Sequence, residues 1–285
     1  MHRRAFLASA TLAVMDGQRK TDSMFGNAQA YEKFMGRWSQ QLAPLLVDFA
    51  AIPNDGRVLD IGSGTGSLAF QVTKRLPGVH VTGIDPSREY VAYARSRNPF
   101  PDRITFQTGD AQQIEFADAT FAASLSLLVF NFIPDAAKAL REARRATKPE
   151  GPVAAAVWDY GGRMRMLREF WDAVTEIDAR AGKLDEKNMP LCRSGELSRL
   201  WRQGGLERVE EQPLDTQITF ESFSDYWEPF LLGQGPAGAY VRKLDPSRLQ
   251  ALRSAVKRRV APVSEDNAVA LPARVWAVRG HVPAR

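Results

Sequence analysis

Short apolar runs of strand type alternate along this chain with longer segments whose apolar residues recur every three or four positions. Val58–Ile61, Val79–Ile84, Ile104–Thr108, a run inside Phe121–Val129 and Val153–Trp158 read as five strands. Between them, Ser67–Leu76, Ser87–Ser96 and Asp135–Thr147 read as helices. Leu68, Val72 and Leu76 share one face of the first, and Ser87 is the expected N-cap of the second. Strands that alternate with helices need right-handed crossovers, so the pattern predicts a mostly parallel sheet in an α/β fold.

The pattern differs on either side of this block. Upstream, Tyr31, Phe34, Met35 and Trp38, then Leu42, Leu45, Leu46 and Phe49, fall at helical spacing until Pro53-Asn54-Asp55-Gly56 breaks the run. Downstream, Arg163–Ala181 and Ser194–Gln203 read as helices, the second stopped by Gly204-Gly205. A strand lies within Leu206–Phe220, helices span Ser222–Leu232 and Pro246–Val260, and Ala273–Arg279 is the last strand. No internal repeat is visible. Residues 1–23 read as a separate tail and 24–285 as one domain. Its core takes about 53–160, 200–220 and 271–280, and a helical lid and cap takes about 24–52, 160–195 and 222–262.

The chain has 285 residues, 44% hydrophobic and 25% charged, an ordinary balance for a water-soluble domain. No apolar run approaches the ~20 residues of a membrane span. Cys192 is the single cysteine, which excludes an internal disulfide and a cysteine-clustered metal site; it is expected to be a small packing residue. The net charge of +5 sits at the ends. Residues 236–285 carry ten Lys/Arg against three Asp/Glu, and residues 1–20 carry four Lys/Arg against one Asp, so the stretch between is mildly acidic. Lys257-Arg258-Arg259 suits either an anionic polymer or the solvated end of a helix, and the latter is expected.

His2-Arg3-Arg4-Ala5-Phe6-Leu7, followed by Ala8 to Met15, resembles a twin-arginine export signal. The apolar run is short, is followed at once by Asp16-Gly17-Gln18-Arg19-Lys20, and lacks a small-x-small cleavage site. Translation from Met15 or Met24 and a cytoplasmic location are the expectation, with export as the alternative.

The chemistry centres on Asp60-Ile61-Gly62-Ser63-Gly64-Thr65-Gly66, where a strand runs into a glycine turn that opens a helix. Glycines at alternate positions let the backbone approach a ligand closely. Nineteen residues on, Asp85 ends the second strand, where an acid accepts hydrogen bonds from both hydroxyls of a ribose. A nicotinamide-dependent oxidoreductase uses this geometry with Gly-x-Gly-x-x-Gly/Ala, and here Ser67 holds the last position.

The residues Asp60 to Gly66 resemble the first motif of the class I S-adenosylmethionine-dependent methyltransferases, and Asp85, with Pro86 and Ser87 after it, resembles the second. Gly109-Asp110-Ala111-Gln112 is similar to the third motif, which holds the adenine. Phe121 to Asp135 is similar to the fourth, with Ala122 where the family usually has Asp. Leu140-Arg141-Glu142 and Lys148-Pro149-Glu150-Gly151 resemble the segment leading into the fifth strand. Ala273–Gly280 resembles the final strand, and Tyr31–Ser39 the lid segment of the methyltransferase-11-like branch.

The resemblance implies a Rossmann-like, doubly wound, seven-stranded sheet with one antiparallel strand near the edge. It implies S-adenosyl-L-methionine as cofactor, with S-adenosyl-L-homocysteine as product. Implied cofactor contacts are Tyr31, Arg37, Asp60, Gly62, Ser63, Gly64, Gly66, Asp85, Pro86, Ser87, Asp110, Ala111 and Gln112, with Ser126 and Leu127 beside the sulfonium.

A sulfonium methyl needs alignment and exclusion of water more than a protein nucleophile. His2, His80 and His281 are all badly placed for a base, and no His/Asp cluster follows the fourth strand, so neither a histidine mechanism nor a metal is expected. Tyr31, Asn131 and Trp158 are the candidate catalytic residues. Phe170, Trp171, Tyr226, Trp227, Phe230 and Tyr240 serve either as pocket lining or as cap core. The expected partner is a small or medium organic acceptor, with the protein a monomer or homodimer. An RNA- or DNA-binding protein using the basic C-terminal segment is the remaining alternative.

Overall fold

The computed structural model describes residues 27–261 and 263–284. The twin-arginine-like segment, Met15 and Met24 lie outside the described residues. Seven strands form one sheet in the order β3-β2-β1-β4-β5-β7-β6. They are β1 (Asp55–Ile61), β2 (Gly78–Asp85), β3 (Ile104–Thr108), β4 (Ala123–Leu127), β5 (Pro152–Trp158), β6 (Glu207–Phe220) and β7 (Val269–His281). β1 to β5 run parallel, and β7 lies antiparallel to both β5 and β6, one place in from the edge. Every residue of β4 and β5 is buried, as expected of strands covered on both faces.

The helices that cover the sheet follow the sequence pattern closely. They are α1 (Ala28–Tyr31), α2 (Arg37–Ala50), α3 (Ser67–Arg75), α4 (Arg88–Ser96), α5 (Ala136–Ala146), α6 (Arg165–Ile177), α7 (Glu196–Gln203), α8 (Phe223–Leu231), α9 (Gly235–Val241) and α10 (Pro246–Val260). Ser87 caps α4 as expected, its hydroxyl accepting from the Tyr90 N–H. A wide π turn over Glu32–Gly36 joins α1 to α2.

Three expectations change. The helix read over Arg163–Ala181 stops at Ile177 and continues as 3₁₀ turns over Ala179–Leu184 and Glu186–Asn188. The last strand extends to Val269, because Pro272 sits opposite Gln217 in the β6–β7 ladder instead of breaking it. The short α9, made of Gly235-Pro236-Ala237-Gly238-Ala239-Tyr240-Val241, has too little periodicity to be read from sequence.

The candidate pocket aromatics resolve as core. Phe170 stacks on Phe230 with centroids 4.5 Å apart, Trp171 packs on Tyr240, and Tyr226 lies between Phe220 and Phe230. Cys192 is buried too, and burial pushes its thiol well above the usual range. The basic run at the end of α10 is largely occupied. Arg259 meets Glu169, Asp172 and Glu176 at 2.6–3.1 Å, and Lys257 meets Glu265 at 3.2 Å. The Arg259 pairs hold α10 to α6, the Lys257 pair holds it to the segment that follows, and both reduce the charge left for an anionic polymer. Among the described residues no helix is long and apolar enough to cross a membrane.

Candidate functional site

Strand order reverses between β1 and β4, so crossover helices leave in opposite directions there and open a crevice at the carboxyl ends of the strands. A deep, largely apolar cavity occupies that crevice. Tyr31, Asp60, Gly62, Ser63, Gly64, Asp85, Pro86, Ser87, Asp110, Ala111, Gln112, Leu127 and Trp158 all line it.

The glycine turn is held to β2. The N–H groups of Gly62 and Ser63 both donate to the Ile84 carbonyl, at 2.8 and 2.9 Å. Gly62 has φ +71°, and a Cβ there would stand 2.5 Å from the Val129 methyls. Gly64 has φ +52°, and a Cβ there would point into open cavity, with only the Gly62 carbonyl oxygen 4.0 Å away. The first glycine is therefore required by packing, and the second keeps ligand space open.

Three carboxylates end adjacent strands. Asp85 accepts from the Gly64 N–H through Oδ2 and from the Ser87 N–H through Oδ1, both at 2.9 Å. Asp110 accepts from the Gln112 N–H at 2.8 Å, while Gln112 Oε1 receives the Asp135 N–H at 3.1 Å and so ties the third acid to the start of α5. Asp60 is 1% exposed, and neither of its oxygens has a hydrogen-bond partner. Burial, with the Asp85 charge nearby, pushes its carboxyl up to about 7. The Ser63 hydroxyl beside it is likewise buried and unpartnered. Orphaned polar atoms under an open turn fit a ligand that brings a cation and hydrogen-bond donors.

Four expected contacts lie off the cavity wall. Arg37 faces the opposite way: its guanidinium makes a bidentate pair with Asp225 at 2.7 and 2.9 Å and covers the Phe220 ring. The partner lies 188 residues away, which no local pattern reveals. Gly66 caps α3 with its Cα against Phe70 and Phe106. Ser126 is 1% exposed and donates to the Ile61 carbonyl at 2.8 Å, fastening β4 to β1. Asn131 donates to Met189 Sδ at 3.4 Å and hydrogen-bonds Tyr160, so it stands behind the wall.

Of the other two candidate catalytic residues, Trp158 forms a wall at the end of β5, edge-to-face with Trp38 at 5.6 Å. Tyr31 bonds Ser39 and packs on Tyr90, and burial pushes its hydroxyl up to about 12. It is a poor proton acceptor near neutral pH. His80 and His281 line no part of the cavity.

Residues the sequence did not flag complete the wall. Thr65, at the turn, donates from its hydroxyl to Glu32 of the π turn. Leu128 takes φ +65°, a costly conformation for leucine, directly after β4. From the cap come Tyr160, Leu167, Glu186 and Pro236. Glu186 is 3% exposed, receives the Trp171 indole N–H and the Ala237 N–H, and is pushed by burial up to about 8. Its surroundings in sequence, Lys183 to Lys187, look like a solvated turn, so nothing local marks it.

Residues 58–151 match a family described as Methyltransferase domain. The chain is 37% identical over 113 residues to the ubiquinone/menaquinone biosynthesis C-methyltransferase UbiE of Paracoccus denitrificans, which covers 37% of this chain and 44% of that protein. It is 33% identical over 172 residues to the malonyl-[acyl-carrier protein] O-methyltransferase of Erwinia pyrifoliae, covering 56% and 63%. It thus spans about half the length of the curated relatives it matches. Among solved structures it resembles phosphoethanolamine N-methyltransferase 2 of Haemonchus contortus in complex with S-adenosyl-L-methionine, with a TM-score of 0.57 at 21% identity over 95% of this chain and 60% of that one. It also resembles the YcgJ protein of Bacillus subtilis, with a TM-score of 0.57 at 18% identity, covering 86% and 99%.

Proposed function

We propose that this chain, which belongs to the class I S-adenosylmethionine-dependent methyltransferases, moves the donor's methyl group to a small or medium organic acceptor held between the sheet and its helical cap. One observation carries the reading: Asp60, Asp85 and Asp110 end three adjacent strands and open, with the Gly62–Gly64 turn, on a single cavity.

The cavity suits the donor's parts in order. Asp85 would hold the ribose hydroxyls, and Asp110 with Ala111 and Gln112 the adenine. The turn and the unpartnered Asp60 and Ser63 would hold the amino-acid end, whose ammonium gives the buried Asp60 carboxylate a counter-charge. When bound, the donor supplies a methyl group already made electrophilic by a positively charged sulfur. The protein's part is to align an acceptor with that methyl and to keep water out. Phe34, Leu127, Phe132 and Trp158 provide apolar wall for the second task. No histidine among the described residues lines the cavity, and proximity and desolvation are the contributions this wall can make to the methyl transfer. A cytoplasmic location, where such a donor is made, goes with this reading.

Calorimetric titration tests the donor. S-adenosylhomocysteine is expected to bind one-to-one and NADH to give no heat. The reverse result would replace this reading with an oxidoreductase.

A further inference from the structure

The cavity wall carries four carboxyl groups, Asp60, Asp85, Asp110 and Glu186, and among the described residues no Lys, Arg or His. Three of the four end sheet strands on the donor side. Glu186 stands apart from them. It belongs to the 3₁₀ turn Glu186–Asn188 in the cap, and it shares the wall with Tyr160 and with Tyr31 and Trp158.

We propose, resting on the methyl-donor reading, that the acceptor is an amine on an apolar body, held as its ammonium by Glu186 among Tyr31, Tyr160 and Trp158 and methylated on nitrogen.

The first support is charge. The lining offers no side-chain cation to pair with an acceptor's phosphate or carboxylate, so burying such a group there carries a cost that low dielectric magnifies. A cation meets the opposite field, and aromatic faces add to its attraction. The second support is hydrogen bonding. A ligand ammonium favours the ionised form of Glu186, which only accepts, and the donors already on it, from Trp171, Ala237 and its own backbone N–H, leave lone-pair capacity for an N–H of the ligand.

The third support is that Glu186 is built in place. Its neighbour Asp185 pairs with Arg168 at 2.7 and 3.0 Å, both side chains almost fully buried, and accepts the Lys187 N–H at 2.9 Å. The turn that carries Glu186 is therefore rigid. Burial raises the Glu186 carboxyl to about 8, within roughly two to three units of an ordinary alkylammonium, so proton transfer between them is nearly balanced.

The step balances as follows. The ammonium gives one proton to the Glu186 carboxylate. The freed nitrogen lone pair forms the N–CH₃ bond as the C–S bond breaks, its electrons staying on sulfur. The products are an N-methylammonium, neutral S-adenosylhomocysteine and protonated Glu186, which returns its proton to solvent when the products leave.

The test uses three probes of one shape, 4-phenylbutylamine, 4-phenylbutanol and 4-phenylbutyrate, titrated into full-length protein saturated with S-adenosylhomocysteine. The amine is expected to bind at least about tenfold tighter than the alcohol, with the carboxylate weakest. Labelled methyl from S-adenosylmethionine is expected to pass to the amine. In Glu186→Gln the amine's advantage is expected to vanish while S-adenosylhomocysteine affinity stays unchanged. The wild-type comparison stands whether or not that variant folds. A carboxylate that binds as well as the amine, three probes that bind equally or not at all, or an amine preference that survives in Glu186→Gln would each overturn the proposal. With S-adenosylhomocysteine still bound, these outcomes leave the donor reading intact. Failure of S-adenosylhomocysteine itself to bind overturns both.

Discussion

The Thr65 hydroxyl donates a hydrogen bond to the Glu32 carboxylate, joining the glycine turn to the π turn that precedes α2. Arg97 holds the other oxygen of Glu32 at 3.2 Å, so α4 joins the same knot. The segment that carries Tyr31, Phe34 and Met35 over the cavity is thus pinned at the turn itself. Thr65→Val is expected to release it, at about 1–3 kcal/mol for a lost charge-assisted bond. Hydrogen exchange over residues 28–38 should speed up while β2 and β3 keep their protection.

The two glycines separate packing from binding. In Gly62→Ala the new methyl collides with Val129 and the backbone is strained, so loss of folded protein is expected. In Gly64→Ala the methyl enters open space and the fold bears only the left-handed penalty of about 1–2 kcal/mol. A folded Gly64→Ala protein that binds S-adenosylhomocysteine at least about tenfold more weakly is the expected result. Circular dichroism and calorimetry on the pair distinguish the effects.

Asp85→Ala is expected to weaken donor binding by about 1–3 kcal/mol, the range for charge-assisted hydrogen bonds. The same change frees the Gly64 and Ser87 N–H groups, so a small fall in melting temperature should accompany it. Unchanged affinity in a folded variant would contradict the ribose role.

Donor binding is expected to depend on pH through Asp60. Its carboxyl is raised to about 7 in the empty protein, so it is mostly neutral below that pH and ionised above it. A donor ammonium favours the ionised form, so affinity should rise with pH from 5.5 to 7, by up to about tenfold per unit. The rise levels off above about pH 7, where Asp60 is already ionised, and affinity falls beyond about 8 as the α-amino group loses its own proton. Asp60→Asn should flatten the rise. Calorimetry in buffers of different ionisation enthalpy should also show proton release by the wild type alone.

How much of this could be read from the chain depends on range. Asp60, Asp85 and Asp110 were legible because each ends a short apolar run, and strand ends are local facts. Ser87 as a cap and Pro246–Val260 as a helix were legible for the same reason. The pairing of Arg37 with Asp225 was not legible, because its position near the lid suggested a ligand and Asp225 comes from α8 far along the chain. Glu186 was invisible because its burial depends on Trp171, α9 and the Arg168–Asp185 pair meeting in space. Phe170 and Trp171 were ambiguous because a helical stripe of aromatics looks alike whether it faces a pocket or another helix.

The Arg168–Asp185 pair gives a stability prediction. Both groups are buried, and removing Arg168 leaves Asp185 with only the half-exposed Lys187 ammonium at 3.4 Å. Arg168→Met is expected to cost about 3–5 kcal/mol in urea unfolding, whereas the double change Arg168→Met with Asp185→Leu should recover most of it. A single variant as stable as the wild type would mean that water reaches the pair.

Strand order also divides the molecule's duties. The acids and the turn proposed to hold the donor lie between residues 60 and 112, whereas much of the opposite wall comes from residues 31–39 and from 158 onward. The match to the shared family ends at residue 151, before that second portion begins. Substitutions in Tyr160, Leu167 or Pro236 can therefore re-shape what is admitted without disturbing the glycine turn. Such a chain can inherit its donor intact and acquire a new clientele through the cap alone.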